Sequence, residues 1–103
     1  MVEVIWTYRA YEDFKDLVEY IAKDSEHYAS ITAKKIWKEI KRIELNPKVA
    51  RKVPEAGYLD DIREFIQGNY RIIFHLKEDK AYLLTIHHCS RNLSKKSLLE
   101  QLK

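Results

Sequence analysis

The chain is 103 residues long, enough to bury roughly two-thirds of its unfolded surface around one core, so we expect a single domain over residues 1–103. Its net charge of +3 is a mild basic excess, which permits an acidic protein or a nucleic acid as partner without requiring either. One cysteine, Cys89, excludes an internal disulfide and an all-cysteine zinc site, and no apolar run approaches the ~20 residues that span a bilayer. We therefore expect a cytoplasmic protein with no membrane partner.

The N-terminal half predicts one strand followed by two helices. Alternating apolar residues over 2–8 are typical of a short strand at or near a sheet edge. Apolar residues at helical spacing follow over about 10–23 and 26–45, and Asp24-Ser25 offers capping oxygens between the two helices. The second helix shows the alternating four and three spacing of helices packed antiparallel, at Ala29, Ala33, Ile36, Ile40 and Ile43.

The stretch over 62–88 predicts three consecutive antiparallel strands. Gly68-Asn69 lies between two apolar runs, and a two-residue type II′ turn needs glycine first because that residue takes a positive φ. A second polar break at 77–80 separates the next two runs. With Gly68-Asn69 as the tight loop, Ile66 lies opposite Arg71.

This register decides which side chains share a face of the sheet. If Leu76 pairs with Ala81, one face is the core and carries Phe65, Tyr70, Ile72, Phe74, Leu76, Leu83, Thr85 and His87. The opposite face mixes apolar and ionisable residues, namely Ile62, Glu64, Ile66, Arg71, Ile73, His75, Tyr82, Leu84, Ile86 and His88. We expect the opposite face to be partly open and to bind a partner.

Two further segments flank the three strands. The connection over 46–61 contains both prolines, and a loop of this length is either functional or a strap held over the sheet edge. Ser94 is a candidate N-cap for a short helix with Leu98, Leu99 and Leu102 on one side, which either docks on the sheet or is ordered by a partner. The predicted fold is α+β: an N-terminal strand, a two-helix antiparallel hairpin, a three-stranded antiparallel meander completing one sheet, and a short C-terminal helix.

Two arginines have both a structural and a functional interpretation. Arg71 either contacts a target directly or pairs with Glu64 or Glu55, because a half-buried guanidinium group needs partners. Arg63 lies on the predicted core face, which favours a structural pair with Asp60 or Asp61.

The two consecutive histidines are assigned to different faces. His87 is predicted to be a core or rim histidine opposite Tyr70, whereas His88 would lie on the open face in a structural or functional role. Adjacent strand residues point to opposite faces, so His87, His88 and Cys89 are not expected to chelate one metal ion, and we expect no cofactor.

The order of elements and six short signatures resemble the RelE/ParE toxin superfamily, and its ParE branch most. The signatures are Ile5-Trp6-Thr7, Asn46-Pro47, Val53-Pro54-Glu55, Ile62-Arg63-Glu64-Phe65, Tyr70-Arg71-Ile72 and His88-Cys89-Ser90-Arg91. They cover nearly the whole chain. The chain departs from the family's usual pattern in two places: Ala50 precedes Arg51 where Gly-Arg is common, and Cys89-Ser90 replaces a small and a basic residue.

The resemblance implies the toxin of a type II toxin–antitoxin system. Such a toxin is neutralised by a small antitoxin in a hetero-oligomer and reaches operator DNA only through that antitoxin. ParE-type proteins are understood to inhibit DNA gyrase, whereas RelE-type relatives cut mRNA on the ribosome, and the shared scaffold does not separate the two. A third interpretation is a non-toxic module that binds an antitoxin or regulates a DNA site.

The chemistry of metal-free RNA cleavage needs a base, an acid and cations around the phosphate. Glu55, Arg71 and His88 are the catalytic candidates for an mRNA interferase, but the chain lacks the C-terminal aromatic residue of many RelE-type relatives. We therefore favour a gyrase inhibitor without catalytic turnover. Its predicted target or antitoxin contacts are Arg63, Arg71, Ile73, Leu84, His88 and Arg91, and changing Ile73 or Leu84 to Asp is expected to weaken antitoxin binding.

Overall fold

A computed structural model describes residues 1–57 and 61–100, apart from the side chain of Leu99. The strands are β1 (Glu3–Trp6), β2 (Arg51–Lys52), β3 (Ile62–Gln67), β4 (Tyr70–Lys77) and β5 (Lys80–His88). The helices are α1 (Tyr8–Ala22), α2 (Glu26–Leu45) and α3 (Lys95–Glu100), and the 3-10 turns Pro47–Val49 and Pro54–Ala56 flank β2. The predicted α+β architecture is confirmed.

The strands form one sheet in the order β1-β5-β4-β3-β2. β1 runs parallel to β5 and supplies one edge, while the other neighbouring strands pair antiparallel. The opposite edge is β2, which the sequence analysis missed. Two residues are too few to show an alternating pattern, so the 46–61 connection resembled a loop throughout.

Side-chain caps fix the start of both long helices. Thr7 accepts a hydrogen bond from the Ala10 amide at 3.2 Å, and Ser25 accepts one from the Tyr28 amide at 3.0 Å. α1 begins two residues before the predicted Ala10 because Thr7 is its N-cap. The Thr7 hydroxyl also donates to the Leu83 carbonyl at 2.7 Å, which ties the start of α1 to β5.

The main core lies between the sheet and the α1/α2 hairpin. It is built by apolar residues of both layers, among them Leu17, Ile36, Ile40, Ile43, Phe65, Ile72, Phe74, Leu83 and Ile86. Four of the five residues predicted for the seam of the second helix are buried; Ala33 is only half-buried. The predicted antiparallel helix pair is thereby confirmed.

A second apolar cluster closes the opposite face of the sheet. Ile62, Ile73 and Leu84 from the sheet pack against Val53 and Ala56 of the connection and Leu98 of α3. Ser94 caps α3, because its hydroxyl accepts the Ser97 amide at 3.0 Å. α3 therefore docks on the sheet, and the predicted open apolar face is wrong for Ile73 and Leu84. Leu102 and the side chain of Leu99 lie outside the described residues.

The predicted register of both hairpins is confirmed close to the turns. Ile66 lies opposite Arg71, and Leu76 lies opposite Ala81. Gly68 has a φ of 58° and no heavy atom near its absent Cβ, so backbone conformation rather than space calls for glycine there.

A β-bulge in β5 changes the register beyond Phe74. Phe74 lies opposite Leu83, but Ile73 lies opposite Thr85, so Leu84 is an extra residue. One extra residue reverses the alternation of faces after it. Ile86 consequently belongs to the core under the helices and His88 lies opposite Tyr70, while His87 lies opposite Arg71. The faces predicted for Ile86, His87 and His88 were wrong for this reason.

Candidate functional site

Arg71 is the centre of a network of charges on the α3 side of the sheet. Its Nε donates to Glu64 at 2.6 Å, and its terminal nitrogens donate to the two oxygens of Glu55 at 2.8 and 2.7 Å. Glu64 also accepts a hydrogen bond from Nε of Arg51 at 2.6 Å. The network joins β2, β3 and β4 to the Pro54–Ala56 turn.

Burial makes this network electrostatically strong. The Glu64 side chain is 0% exposed and that of Arg71 10%, so their charges have little solvent to screen them. Hydrogen bonding from Arg71 is the largest influence on Glu55 and outweighs its partial burial, lowering the pKa of that carboxyl to about 2. The hydrogen bond with Glu55 is likewise the largest cause that raises the pKa of Arg71. Both groups are therefore charged at neutral pH.

Arg63 has a similar structural role at the edge of the sheet. Its Nε pairs with Asp61 at 2.6 Å, and its Nη1 donates to the carbonyls of Lys48 and Ala50 at 3.0 and 2.9 Å. The predicted structural pair is confirmed for Asp61, while Asp60 lies outside the described residues. Arg63 thus holds the start of the connection against β3.

The three residues predicted for RNA cleavage do not all meet. Glu55 and Arg71 contact each other, as the structural interpretation of Arg71 predicted. His88 lies on the helix side of the sheet because of the bulge in β5, with its ring against Tyr70 at a centroid distance of 5.3 Å. The predicted constellation of Arg71, His75 and His88 on one face is therefore wrong for His88.

The six residues predicted to contact a partner divide into two groups. Ile73 and Leu84 are 0% exposed, and Arg71 and Arg63 are engaged in the ion pairs described above. An Asp at position 73 or 84 would place a charge inside the second cluster and threaten the fold itself, so those substitutions cannot locate the antitoxin. Arg91 is exposed and His88 half-buried, and these two line a cavity.

That cavity lies between α1 and the ends of β4 and β5 and has a volume of about 400 Å³. Leu17, Ile21 and Ile86 supply apolar surface, and Tyr20 and Tyr70 supply aromatic surface. The ionisable residues around it are Asp13, Asp16, His88 and Arg91.

Hydrogen bonds fix two of these polar groups. His88 Nδ1 accepts the Ser90 amide at 3.1 Å, so the proton of the neutral imidazole lies on Nε2. Asp13 Oδ2 accepts both the Thr85 hydroxyl and the Ile86 amide, the latter at 3.2 Å. Sequence reasoning missed Asp13 because its partners on β5 are 72 and 73 residues away and nothing within α1 marks it.

Among residues 1–57 and 61–100, no group of three His, Cys, Asp or Glu residues is arranged to hold a metal ion. Within the same ranges, no helix has the length and apolar character needed to cross a membrane. Cys89 is exposed and has no disulfide partner, as a single cysteine requires.

Comparison with known proteins gives the class. The family model of the ParE toxin of type II toxin-antitoxin system, parDE, matches residues 4–93. The chain therefore belongs to the ParE toxin family of type II toxin–antitoxin systems, which confirms the resemblance and its ParE branch.

One similar solved structure is described as the chromosomal ParDE TA system from P. aeruginosa. It is 16% identical, with a TM-score of 0.68, and the match covers 85% of this chain and 96% of that one. At this identity the likeness shows a shared fold. A search of the curated proteins finds no match.

Proposed function

We propose that this toxin arrests growth by binding DNA gyrase, without cleaving RNA, and that a cognate antitoxin neutralises it by direct binding. Membership of the ParE family supports both neutralisation by an antitoxin and DNA gyrase as the target. The proposal that the chain does not cleave RNA is supported by the pairing of Arg71 with Glu55 and Glu64.

A phosphate could reach Arg71 only by displacing carboxylates. Glu55 has a pKa of about 2 and keeps its charge at neutral pH, and Glu64 is buried beside it. Two negative charges next to Arg71 repel the phosphate that a cleavage site must bind. His88, the other cleavage candidate, is on the opposite side of the sheet.

The test is pulse labelling of DNA and protein synthesis within minutes of inducing the chain without its antitoxin. We expect DNA synthesis to fall first, and the purified chain to inhibit supercoiling by purified gyrase. A Glu55→Gln variant that folds should still arrest growth, because Glu55 has no catalytic role in this proposal.

Two outcomes contradict the proposal. If protein synthesis falls first and Glu55→Gln abolishes the effect, the chain is an mRNA interferase. If neither synthesis falls, the chain is a non-toxic member of the family that retains antitoxin binding or DNA-site regulation. Staining for the induced protein controls for expression in every case.

A further inference from the structure

We propose that the outer face of α2 binds the phosphate backbone of duplex DNA without reading its sequence. The outer face is defined by five exposed cations: Lys34, Lys35, Lys38, Lys41 and Arg42. The choice of DNA as the polyanion rests on the proposed function, in which the chain binds an enzyme that acts on DNA. The contact would hold the toxin against DNA that the gyrase has bound.

Helical spacing places these cations on the side of α2 that points away from the core. Lys34, Lys38 and Lys41 follow one another at intervals of four and three residues, which aligns them along the helix. Ile36 and Ile40, which belong to the buried seam, lie on the opposite side of the same helix. The cations therefore present their charges together to solvent and to a partner.

The positive charge of the chain is concentrated on this outer face. The five cations exceed the net charge of +3 of the whole chain, so the remaining residues are net acidic. The two glutamates of α2 beside the face, Glu39 and Glu44, have side chains that are only 15% and 30% exposed. A polyanion that approaches the chain is therefore attracted to the outer face of α2.

Three of the cations have no counter-charge within the described part of the chain. Lys34, Lys35 and Lys38 make no ion pair there. Lys41 and Arg42 reach glutamates only at 3.4 and 3.6 Å, on an exposed surface where such pairs contribute little. Like charges four residues apart repel each other on a helix, and phosphate groups would relieve that repulsion. Charges of both signs are the usual pattern of a helix face that meets only solvent.

The dimensions of the outer face fit one strand of a duplex. Residues 34–42 span about 12 Å along the helix axis at 1.5 Å per residue. Each strand of a duplex carries one phosphate per ~3.4 Å, so the face meets about three or four phosphates. Lysine binds phosphate as a point charge, and the guanidinium carbon of Arg42 lies 4.3 Å from the centre of the Phe65 ring. Phosphate contacts carry no sequence information, so binding is expected to be independent of sequence.

The aromatic residue of this stretch is not arranged for a single strand. Proteins that bind single strands stack the bases on aromatic side chains. Trp37 instead packs against Trp6 and Phe14, with ring centroids 5.5 and 6.1 Å apart. The outer face thus offers charge without a stacking surface, which suits a duplex.

The experiment is a fluorescence-anisotropy titration of a short labelled duplex with the purified chain at several salt concentrations. We expect a Kd of about 10⁻⁴–10⁻⁶ M at physiological salt, and a slope of about −3 for log K against log salt, because three or four phosphates are neutralised. The double variant Lys34→Gln/Lys38→Gln should raise the Kd about tenfold or more and reduce the slope by about 2, because two phosphate contacts are lost.

The matched control is the double variant Lys95→Gln/Lys96→Gln. It removes the same charge from exposed positions of α3, on the opposite side of the sheet. Its slope should equal that of wild type, and its Kd should stay within about threefold. Circular dichroism of every variant checks the fold, which these exposed positions should leave intact.

Three outcomes overturn the DNA-binding face. They are no binding of the wild-type chain to the duplex, equal effects of the α2 and α3 substitutions, and tighter binding of single-stranded RNA or of poly-glutamate than of the duplex. The last result would assign the face to RNA or to an acidic protein.

A supercoiling assay with purified gyrase separates this inference from the proposed function. Inhibition of gyrase by a chain that does not bind the duplex would refute the DNA-binding face alone. Binding to the duplex through α2 by a chain that leaves gyrase active would support the face and refute the proposed target.

Discussion

The side chain of Arg71 holds several segments of this small sheet together through its ion pairs. It occupies a strand position at which one neighbour on β3 and one residue of the 46–61 connection are both glutamates. Burying an ion pair costs the hydration free energy of both charged groups. That cost is offset only when every buried charged group has a partner. Here Arg51 completes the set by donating to Glu64 Oε2 at 2.6 Å, an oxygen that also accepts from Arg71 at 3.2 Å.

Replacing Arg71 with Ala should therefore destabilise the fold strongly. The change leaves the fully buried Glu64 without its main partner, which typically costs about 3–5 kcal/mol. Urea unfolding followed by circular dichroism measures the loss. Arg51→Ala is the matched control, because that side chain is 57% exposed and should contribute only about 0–1 kcal/mol. Equal losses for the two variants would contradict the central role of Arg71.

Glu55 makes stability depend on acid in a defined pH range. Its pKa is about 2 in the folded chain against an ordinary value of 4.5, so its stabilising effect is complete above about pH 4.5 and is lost as the pH falls toward 2. We expect the urea midpoint to fall across this range, and to fall less steeply in Glu55→Gln. Parallel curves for the two proteins would show that the carboxyl of Glu55 is not responsible.

Among the elements, α3 is a short helix that docks through the buried side chain of Leu98. A helix of six residues is too short to persist alone, and among the described side chains of α3 it is Leu98 that packs into the second apolar cluster. Arg9 adds one hydrogen bond to Ser97 at 2.7 Å from the start of α1. The helix is thus a cover held by its buried leucine.

A Leu98→Ala substitution should detach α3 while the sheet remains folded. We expect the amides of 95–100 to lose hydrogen-exchange protection and the unfolding free energy to fall by about 2–3 kcal/mol, because a buried leucine is removed. Lys96→Ala, at an exposed position of the same helix, is the control and should leave protection unchanged. Loss of protection throughout β3, β4 and β5 would mean instead that α3 belongs to the main folding unit.

At the scale of the whole molecule, contacts among three aromatic side chains connect β1, α1 and α2. Trp6 of β1 lies 5.7 Å from Phe14 of α1 and 5.5 Å from Trp37 of α2, measured between ring centroids. β1 itself pairs with β5 near the other end of the chain, with Glu3 opposite Lys80. The helix hairpin is thereby fixed to the sheet edge through contacts distant in sequence.

Removing Trp6 should loosen this junction. Trp6→Ala is expected to lower the unfolding free energy by about 3 kcal/mol, because a large aromatic side chain is lost from a packed site. Trp37 is 51% exposed, so Trp37→Ala should cost about 1 kcal/mol. Far-UV circular dichroism in urea measures both, since each variant lacks one of the two tryptophans. A larger loss for Trp37→Ala would place the junction on α2 instead of β1.

The sequence by itself determined the elements and most of their pairing. Helical spacing revealed the α1/α2 hairpin, and Gly68-Asn69 established the β3/β4 register, because these signals arise between residues close along the chain. The pairing of Arg71 with acidic residues also followed, since a half-buried guanidinium group requires partners.

Only the tertiary structure decided which residues are available to a partner. The bulge at Leu84 moved His88 away from Arg71, and no local pattern marks it because an apolar run looks the same with or without one extra residue. The docking of Leu98 closed the face that the alternation of β4 and β5 left apolar. The cavity likewise combines α1 with the far ends of β4 and β5, and residues that distant in sequence are brought together by packing alone.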